Sequence, residues 1–383
     1  ASWDSATAKW TVTIEHTSSE NTSPTIETLT CHFIYSCTGY YRYDKGYTPD
    51  FPGVEQFKGQ FIHPQLWPEE LDYSDKRIVI IGSGATAVTL VPAMAKTAKH
   101  VTMLQRSPTY VVARPAVDSL SQKFRRWFPE QFAYDLTRWK NVTMQAFIFQ
   151  LSRRFPDKVR ALLRKMTHQW MGDDYDIDTH FNPRYNPWDQ RLCLVPDGDL
   201  FRALRKGTAS IVTDHIEHFT EQGIQLKSGA ALDADIVVSA TGLELLILGG
   251  IQLTVDSQPV KIADSLVYKG MMFSGIPNLA LAAGYTNASW TLKCDLTSQY
   301  VCRLLAYMDK HNYKYCMATN SDPSVQRTQF LDLASGYIDR AVDQFPKQGN
   351  KAPWRLYQNY LLDIITLRVR SLRDRALTFY KTE

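Results

Sequence analysis

Between residues 77 and 106 the hydrophobic pattern changes period twice. Arg77-Ile-Val-Ile-Ile81 is an unbroken apolar run, the pattern of a strand covered on both faces. From about Thr86 to Lys96 the chain is rich in Ala, Val and Leu and reads as a helix. His100-Val-Thr-Met-Leu-Gln-Arg106 returns to strand pattern. The whole is a β-α-β unit of ~30 residues. Its first turn is Gly82-Ser-Gly-Ala-Thr-Ala87. Gly82 permits the tight turn, Gly84 lets backbone approach a pyrophosphate, and Ala87 still allows close helix–strand packing. A glycine loop between a strand and a helix is a dinucleotide-binding signature, whereas the same residues elsewhere would carry little weight.

The rest of the chain is arranged around this unit. Lys9 to Glu15 and Leu29 to Tyr35 alternate with period two and flank a polar Ser/Thr/Asn stretch, predicting a β-meander. The second of these strands ends in Tyr35-Ser-Cys-Thr-Gly39, and a similar end recurs at Val237-Val-Ser-Ala-Thr-Gly242. Tyr43 to Gly53 reads as a loop. Leu120 to Met171 is helical in pattern, with Phe124, Trp127, Phe128, Phe132, Leu136 and Trp139 among its apolar positions. The alternating rhythm then resumes. Asp199 to Arg205 suits a helix, Ala209 to Thr213 a strand, and Ile224 to Leu226 with Ile236 to Val238 a hairpin and return strand. Gly275 to Leu279 is a turn into the strand Leu279 to Ala283. Residues 287 to 308 form a helix with Asn287 or Ser289 as N-cap. The tail, Trp354 to Glu383, reads as basic, partly helical and peripheral.

The fold class is therefore α/β: a Rossmann domain with a helical insertion, flanked by parts of another domain. The expected division is 1–56 as a partial domain, 57–113 with 191–242 as the nucleotide domain, 114–190 as a helical cap, and 243–383 as the C-terminal part of the first domain with its tail.

Composition narrows the partners. The 383 residues are 44% hydrophobic and 21% charged, with a net charge of +4, which is ordinary for a globular protein and gives no argument for nucleic acid. Cys31, Cys37, Cys193, Cys294, Cys302 and Cys316 form no Cys-x-x-Cys pair or Cys/His cluster. They read as reduced core thiols of a cytoplasmic protein. No run reaches the ~18–20 apolar residues of a membrane span, and no metal site is expected. Residues 121–170 hold 11 Lys/Arg against 3 Asp/Glu. That basic amphipathic stretch suits either peripheral contact with a membrane or a solvated cap over a substrate cleft.

Gly82, Ser83, Gly84, Ala85 and Thr86 are expected to cradle a pyrophosphate through backbone N–H groups. The second strand ends in Gln105-Arg106-Ser107, where an NAD site would carry Asp or Glu for the ribose 2′-OH. A cation without an anion suits a 2′-phosphate, so Arg106 with Ser107 predicts NADP(H).

Phe57-Lys-Gly-Gln-Phe-Ile-His-Pro-Gln-Leu-Trp-Pro68 resembles the fingerprint of type I Baeyer–Villiger monooxygenases, Phe-x-Gly-x-x-x-His-x-x-x-Trp-Pro/Asp. Phe57, Gly59, His63, Trp67 and Pro68 all match. Residues 82–92, 103–110, 185–196 and 284–291 extend the resemblance to class B flavoprotein monooxygenases, nearest the ethionamide-activating subgroup. It implies FAD and NADPH as cofactors and oxygen insertion into a ketone to give an ester or lactone, with oxygenation of sulfides and thioamides alongside. It implies that the two Thr-Gly strand ends are crossovers between flavin and nicotinamide domains, with Thr241 and Gly242 at the cofactor. His63 is either a catalytic group or a hinge residue of the interdomain linker. Arg191 falls where the family places the arginine that holds the anionic oxygen nucleophile and tetrahedral adduct. A fixed guanidinium in a dry cleft suits that role; pairing with Asp189 is the alternative. Asn287, Trp290 and Thr291 are expected to face the flavin pyrimidine from a helix N-terminus, with Trp290 otherwise plain core. Family members also carry an earlier flavin-binding Gly-x-Gly-x-x-Gly, which this sequence lacks. The adenosine half of the flavin site is therefore expected in a preceding segment or a partner chain, unless flavin is not tightly bound. Competing functions are S- or N-oxygenation without ketone chemistry, and an NADP-binding module or flavin-dependent reductase.

Overall fold

A computed structural model of the chain describes residues 1–16, 25–190, 192–331 and 336–381. It divides into two units, one of Tyr43–Glu244 and one of Ala1–Arg42 with Leu245–Glu383.

The first unit is built on five parallel strands: β1 (Gln60–Ile62), β2 (Arg77–Ile81), β3 (His100–Gln105), β4 (Ala209–Thr213) and β5 (Ile236–Ser239), in the order β4-β3-β2-β5-β1. Strand order reverses beside β2, the switch point at which open α/β sheets bind ligands. The apolar run of β2 is explained by two different covers. Ile78 and Ile80 face a helical layer that includes Val88, Val91 and Phe201. Val79 and Ile81 face a second cluster with Phe219, Ile224 and Leu226. That second cover is an antiparallel meander of Ile216–Thr220, Gly223–Leu226 and Ala231–Asp233. Ile224–Leu226 thus belongs to the meander, whereas Ile236–Ser239 enters the parallel sheet; the two do not pair as a hairpin. Helix α1 spans Ala85–Met94, and Ala87 is fully buried against the sheet, where a larger side chain would not fit.

Residues 43–56, grouped with the partial domain on sequence pattern, pack in this unit. Phe51 lies 5.5 Å from Phe219 and 6.3 Å from Phe61, ring centre to ring centre. Part of the expected 43–53 loop is strand, within Tyr41–Gly46. The insertion forms α2 (Ser119–Trp127), α3 (Glu130–Arg154) and α4 (Pro156–Met171). Asp118 caps α2 by accepting from the backbone of Leu120 and Ser121. Pro129 and Pro156 sit at the starts of α3 and α4, where a missing N–H is harmless.

In the second unit, Lys9–His16 pairs antiparallel with Thr25–Cys31 as the alternation predicts. The strand expected from Leu29 to Tyr35 is broken: Ile34–Ser36 instead pairs with Leu279–Leu281 in a different sheet. The long helix α5 spans Trp290–Lys310. The tail is not peripheral. Leu377–Tyr380 pairs with Tyr315–Ala318, and Trp354 and Leu367 are buried. Two ionic clusters tie the tail down, that of Asp363 buried and that of Asp374 partly buried. Asp363 accepts from Tyr285 at 2.6 Å and from Lys293 at 2.9 Å. Asp374 accepts from Tyr268 at 2.5 Å and pairs with Lys269 at 3.1 Å. Burial pushes the Tyr268 and Tyr285 hydroxyls up and holds them as donors. The cysteines also depart from expectation. Cys193 and Cys316 are buried, whereas Cys37 and Cys302 are exposed. Burial raises the Cys316 thiol to about 12.

Lys293 is almost inaccessible, so Lys293→Met would leave the Asp363 carboxylate buried without its cation. Urea denaturation is expected to show a loss of about 3–5 kcal/mol in unfolding free energy, against under ~1 kcal/mol if that carboxylate can reach water.

Candidate functional site: a nucleotide cradle at the carboxyl edge of the sheet

The ends of β2, β3, β4 and β5 meet at one edge of the sheet. Gly82, at the end of β2, has φ +132°, and a Cβ there would lie 2.4 Å from the Ala240 carbonyl oxygen beyond β5. Only glycine meets both demands. Gly84 is exposed, and an added Cβ would meet nothing within 4 Å. Gly84 is also the N-cap of α1 and offers no side chain to the first-turn N–H groups. Ala85 and Thr86 are exposed beside it. Open space over uncapped N–H groups at a helix N-terminus fits a pyrophosphate.

Ser83 points away from that space. Its hydroxyl donates to the Ser107 carbonyl at 3.1 Å and lies 2.9 Å from Thr109 Oγ1. Ser83 therefore ties the glycine turn to the loop after β3. Arg106 is exposed and makes no hydrogen bond or ion pair among the described residues, and Ser107 adjoins it. A 2′-phosphate would meet a free guanidinium there.

Gln105 occupies a different environment. It is 1% exposed, and its amide donates to the His180 carbonyl at 2.9 Å and to Thr213 Oγ1 at 2.8 Å. Thr213 Oγ1 also lies 2.8 Å from His180 Nδ1. Because that oxygen accepts from Gln105, its own proton is available to Nδ1 of the neutral ring. Burial holds the His180 imidazolium below the ordinary histidine range. Sequence pattern singled out neither Thr213 nor His180; the polar end of β4 was the available signal.

At the β5 end, Thr241 donates to the Tyr47 carbonyl at 2.8 Å and lies 2.9 Å from the Ser239 hydroxyl. The Gly242 carbonyl accepts from the Tyr47 N–H at 3.2 Å and lies 3.0 Å from His63 Nε2. His63 Nδ1 accepts from the Gln65 N–H. That fixes the proton on Nε2, which donates to Gly242. A Cβ at Gly46 would overlap the imidazole at 1.8 Å. Both ring nitrogens are engaged with backbone.

This architecture and sequence match known proteins. Residues 2–248 match the flavin-binding monooxygenase-like family. The chain belongs to that family. It is 51% identical over 382 residues to the FAD-containing monooxygenase EthA of Mycobacterium tuberculosis, covering all of this chain and 77% of EthA. Among solved structures, the oxidized steroid monooxygenase bound to NADP superposes with a TM-score of 0.68 at 18% identity, over 99% of this chain and 79% of that one. Polycyclic ketone monooxygenase from Thermothelomyces thermophila gives a TM-score of 0.72 at 14% identity, over 100% and 73%. At such identities these two show the fold, that of the two-dinucleotide-binding monooxygenases.

Within this family member, Arg191 lies outside the described residues. The loop before it is firmly held. Asp189 accepts from Arg153 of α3 at 2.9 Å and from the Asn186 N–H at 3.1 Å. Arg160 of α4 donates to Tyr110 Oη and to Asn186 Oδ1, and Tyr110 donates to the Tyr185 carbonyl. Among the described residues, Arg153 is a cation on Asp189. Asn287, Trp290 and Thr291 belong to the other unit. Asn287 donates to the Gln358 carbonyl. Trp290 packs against Tyr40, with ring centres 4.9 Å apart, as part of that unit's core. Thr291 pairs with the Ser289 hydroxyl, so Ser289 is an N-cap in position without a side-chain bond to a backbone N–H of the helix.

His180 titrates lower in the folded chain than its unfolded value, so the unfolded chain binds more protons as pH falls. Its contribution to stability is full above the ordinary histidine pKa of ~6.5 and is lost as pH drops through the folded value. Stability is expected to decline on acidification from neutrality, and His180→Gln should flatten that decline in thermal melts between pH 7 and 5; an unchanged slope would remove His180 as its source.

Proposed function

We propose that this monooxygenase uses NADPH and FAD to insert one oxygen atom of O2 into ketones, giving esters or lactones, and that it also oxygenates sulfides and thioamides. The observation that carries the reading is the nucleotide cradle behind the Phe57–Pro68 linker, in a chain 51% identical to an FAD-containing monooxygenase from end to end. Similarity through the insertion and the 185–196 loop favours an oxygenase over a bare nicotinamide-binding module. Among the described residues no helix is long and apolar enough to cross a membrane. We place the protein in the cytoplasm, on the strength of its six unpaired thiols.

Gly82, Gly84, Ala85 and Thr86 would hold the NADP pyrophosphate through backbone N–H groups, with Ser83 bracing the turn. Arg106 and Ser107 would hold the 2′-phosphate. Thr241 and Gly242 would line the crossing between cofactors, and His63 would keep that crossing in register with the linker. Asn287 and Thr291, at the α5 N-terminus, would face the flavin pyrimidine, where the helix dipole favours anionic charge. Bound flavin, once reduced, supplies the activated oxygen. Arg191 would hold the oxyanion that develops on the substrate, and the staples from Arg153 and Arg160 would fix its loop.

Arg106→Ala removes a charge-assisted contact worth about 1.5–3 kcal/mol, so affinity for NADPH should fall roughly ten- to a hundredfold while affinity for NADH holds. An unchanged ratio of the two would refute the assignment. Arg191→Ala should lower ester formation by about 10²–10³, the usual cost of losing an oxyanion contact, with NADPH binding retained. Normal ester yield from that variant would take Arg191 out of the chemistry.

A further inference from the structure

The helical insertion carries an apolar surface that is exposed among the described residues. Helices α2 and α3 form a hairpin joined by Phe128 and Pro129. Trp127 is 66% exposed and Phe132 52%, and Phe128 between them is also exposed. The patch continues along α3. Trp139, Met144, Phe147 and Leu151 are exposed. At 100° per residue they fall with Phe132 in one stripe about 140° wide, extending roughly 29 Å along the axis at 1.5 Å per residue. Soluble chains seldom leave an apolar surface of that extent open without a use for it. The rings are held in place rather than dangling. Phe124, Phe128 and Phe132 form a ladder with centroid spacings of 6.5 and 5.2 Å.

Cations frame the stripe. Lys123, Arg125 and Arg126 are exposed on α2, and none of them forms an ion pair among the described residues. Arg154 and Lys158 flank Phe155 at the far end, 5.8 and 5.2 Å from its ring centre. Asp118, the acid nearest the start of the hairpin, is already taken by Lys140. The surface therefore offers aromatic rings, two of them tryptophans, in a segment whose cations outnumber its exposed acids Glu130, Asp135 and Asp157.

We propose that the α2–α3 hairpin docks this monooxygenase onto an anionic membrane surface, with its aromatic stripe in the headgroup and upper acyl region. Tryptophan and phenylalanine suit that boundary, and lysine and arginine beside them meet lipid phosphates. Charge separates this occupant from a second copy of the chain. In a two-fold dimer the same patch meets itself, so the bordering cations would oppose one another; against phosphatidylglycerol they are complemented. The cradle lies outside the hairpin, whereas the inner side of α3 reaches the 185–190 segment through Arg153 and Asp189.

The test is co-sedimentation of the full chain with large unilamellar vesicles. Vesicles of phosphatidylcholine with roughly one-third phosphatidylglycerol, whose negative surface potential attracts basic residues, are compared with pure phosphatidylcholine. Binding to the anionic vesicles should be at least ~10-fold tighter and should weaken in high salt. Trp127→Ser with Phe132→Ser, and separately Arg125→Glu with Arg126→Glu, should each reduce it by ~10-fold or more. These positions are exposed, so both variants should keep wild-type NADPH binding and melting temperature. Equal binding to both vesicle types, no binding, or full binding by the variants would overturn the proposal. So would a concentration-dependent dimer that the serine variant abolishes while vesicle binding persists.

Discussion

The nucleotide unit depends on one close approach, that of Gly82 to the Ala240 carbonyl. Strands β2 and β5 are neighbours in the sheet, and the chain leaves each at the same edge. A side chain at Gly82 would strike the backbone beyond β5, so the absence of a Cβ lets the two strand ends lie together. That proximity opens the switch point, aims α1 across it and leaves the first-turn N–H groups over empty space. Ala87 carries the same requirement one turn further on, where the helix rests on the sheet.

Around that approach, polar side chains mostly serve to build the cradle. Ser83 is turned to the β3 loop, Gln105 is buried between Thr213 and His180, and Thr241 and His63 are bonded to backbone. Each of these four side chains has a partner, and leaving it unpaired there would be costly. Exposed at the edge are the first turn of α1, including Thr86, and Arg106 with Ser107. Such a site recognises phosphate by geometry already in place, with little ordering of flexible side chains on binding.

The insertion follows a different logic. Its contacts to the rest of the nucleotide unit include Val159 and Leu163 of α4 against Tyr110 and Val112, and Trp170 against Phe201. Arg153 and Arg160 reach back to the 185–190 segment. One set of helices thus anchors the loop before Arg191, while the outer faces of α2 and α3 stay apolar and open. Both features come from one basic segment, whose cations divide between bracing a loop and bordering an exposed stripe.

Local pattern was enough to reveal the β-α-β unit, the glycine turn, the insertion's helices and the linker fingerprint. Each is written within a few turns of chain: an apolar run, a glycine spacing, a helical periodicity. The family was legible for the same reason, since its motifs are contiguous. Sequence could not say that Ile236–Ser239 joins the parallel sheet rather than a hairpin, because both settings accept the same apolar run. Nor could it say that Gln105 turns inward to Thr213 and a histidine some 75 residues away. The basic tail, polar by composition, is held by Asp363 and Asp374 on buried lysines and tyrosines. Those decisions rest on partners distant in sequence, where packing and the satisfaction of buried charge outweigh local preference, and only the tertiary structure brings such partners together.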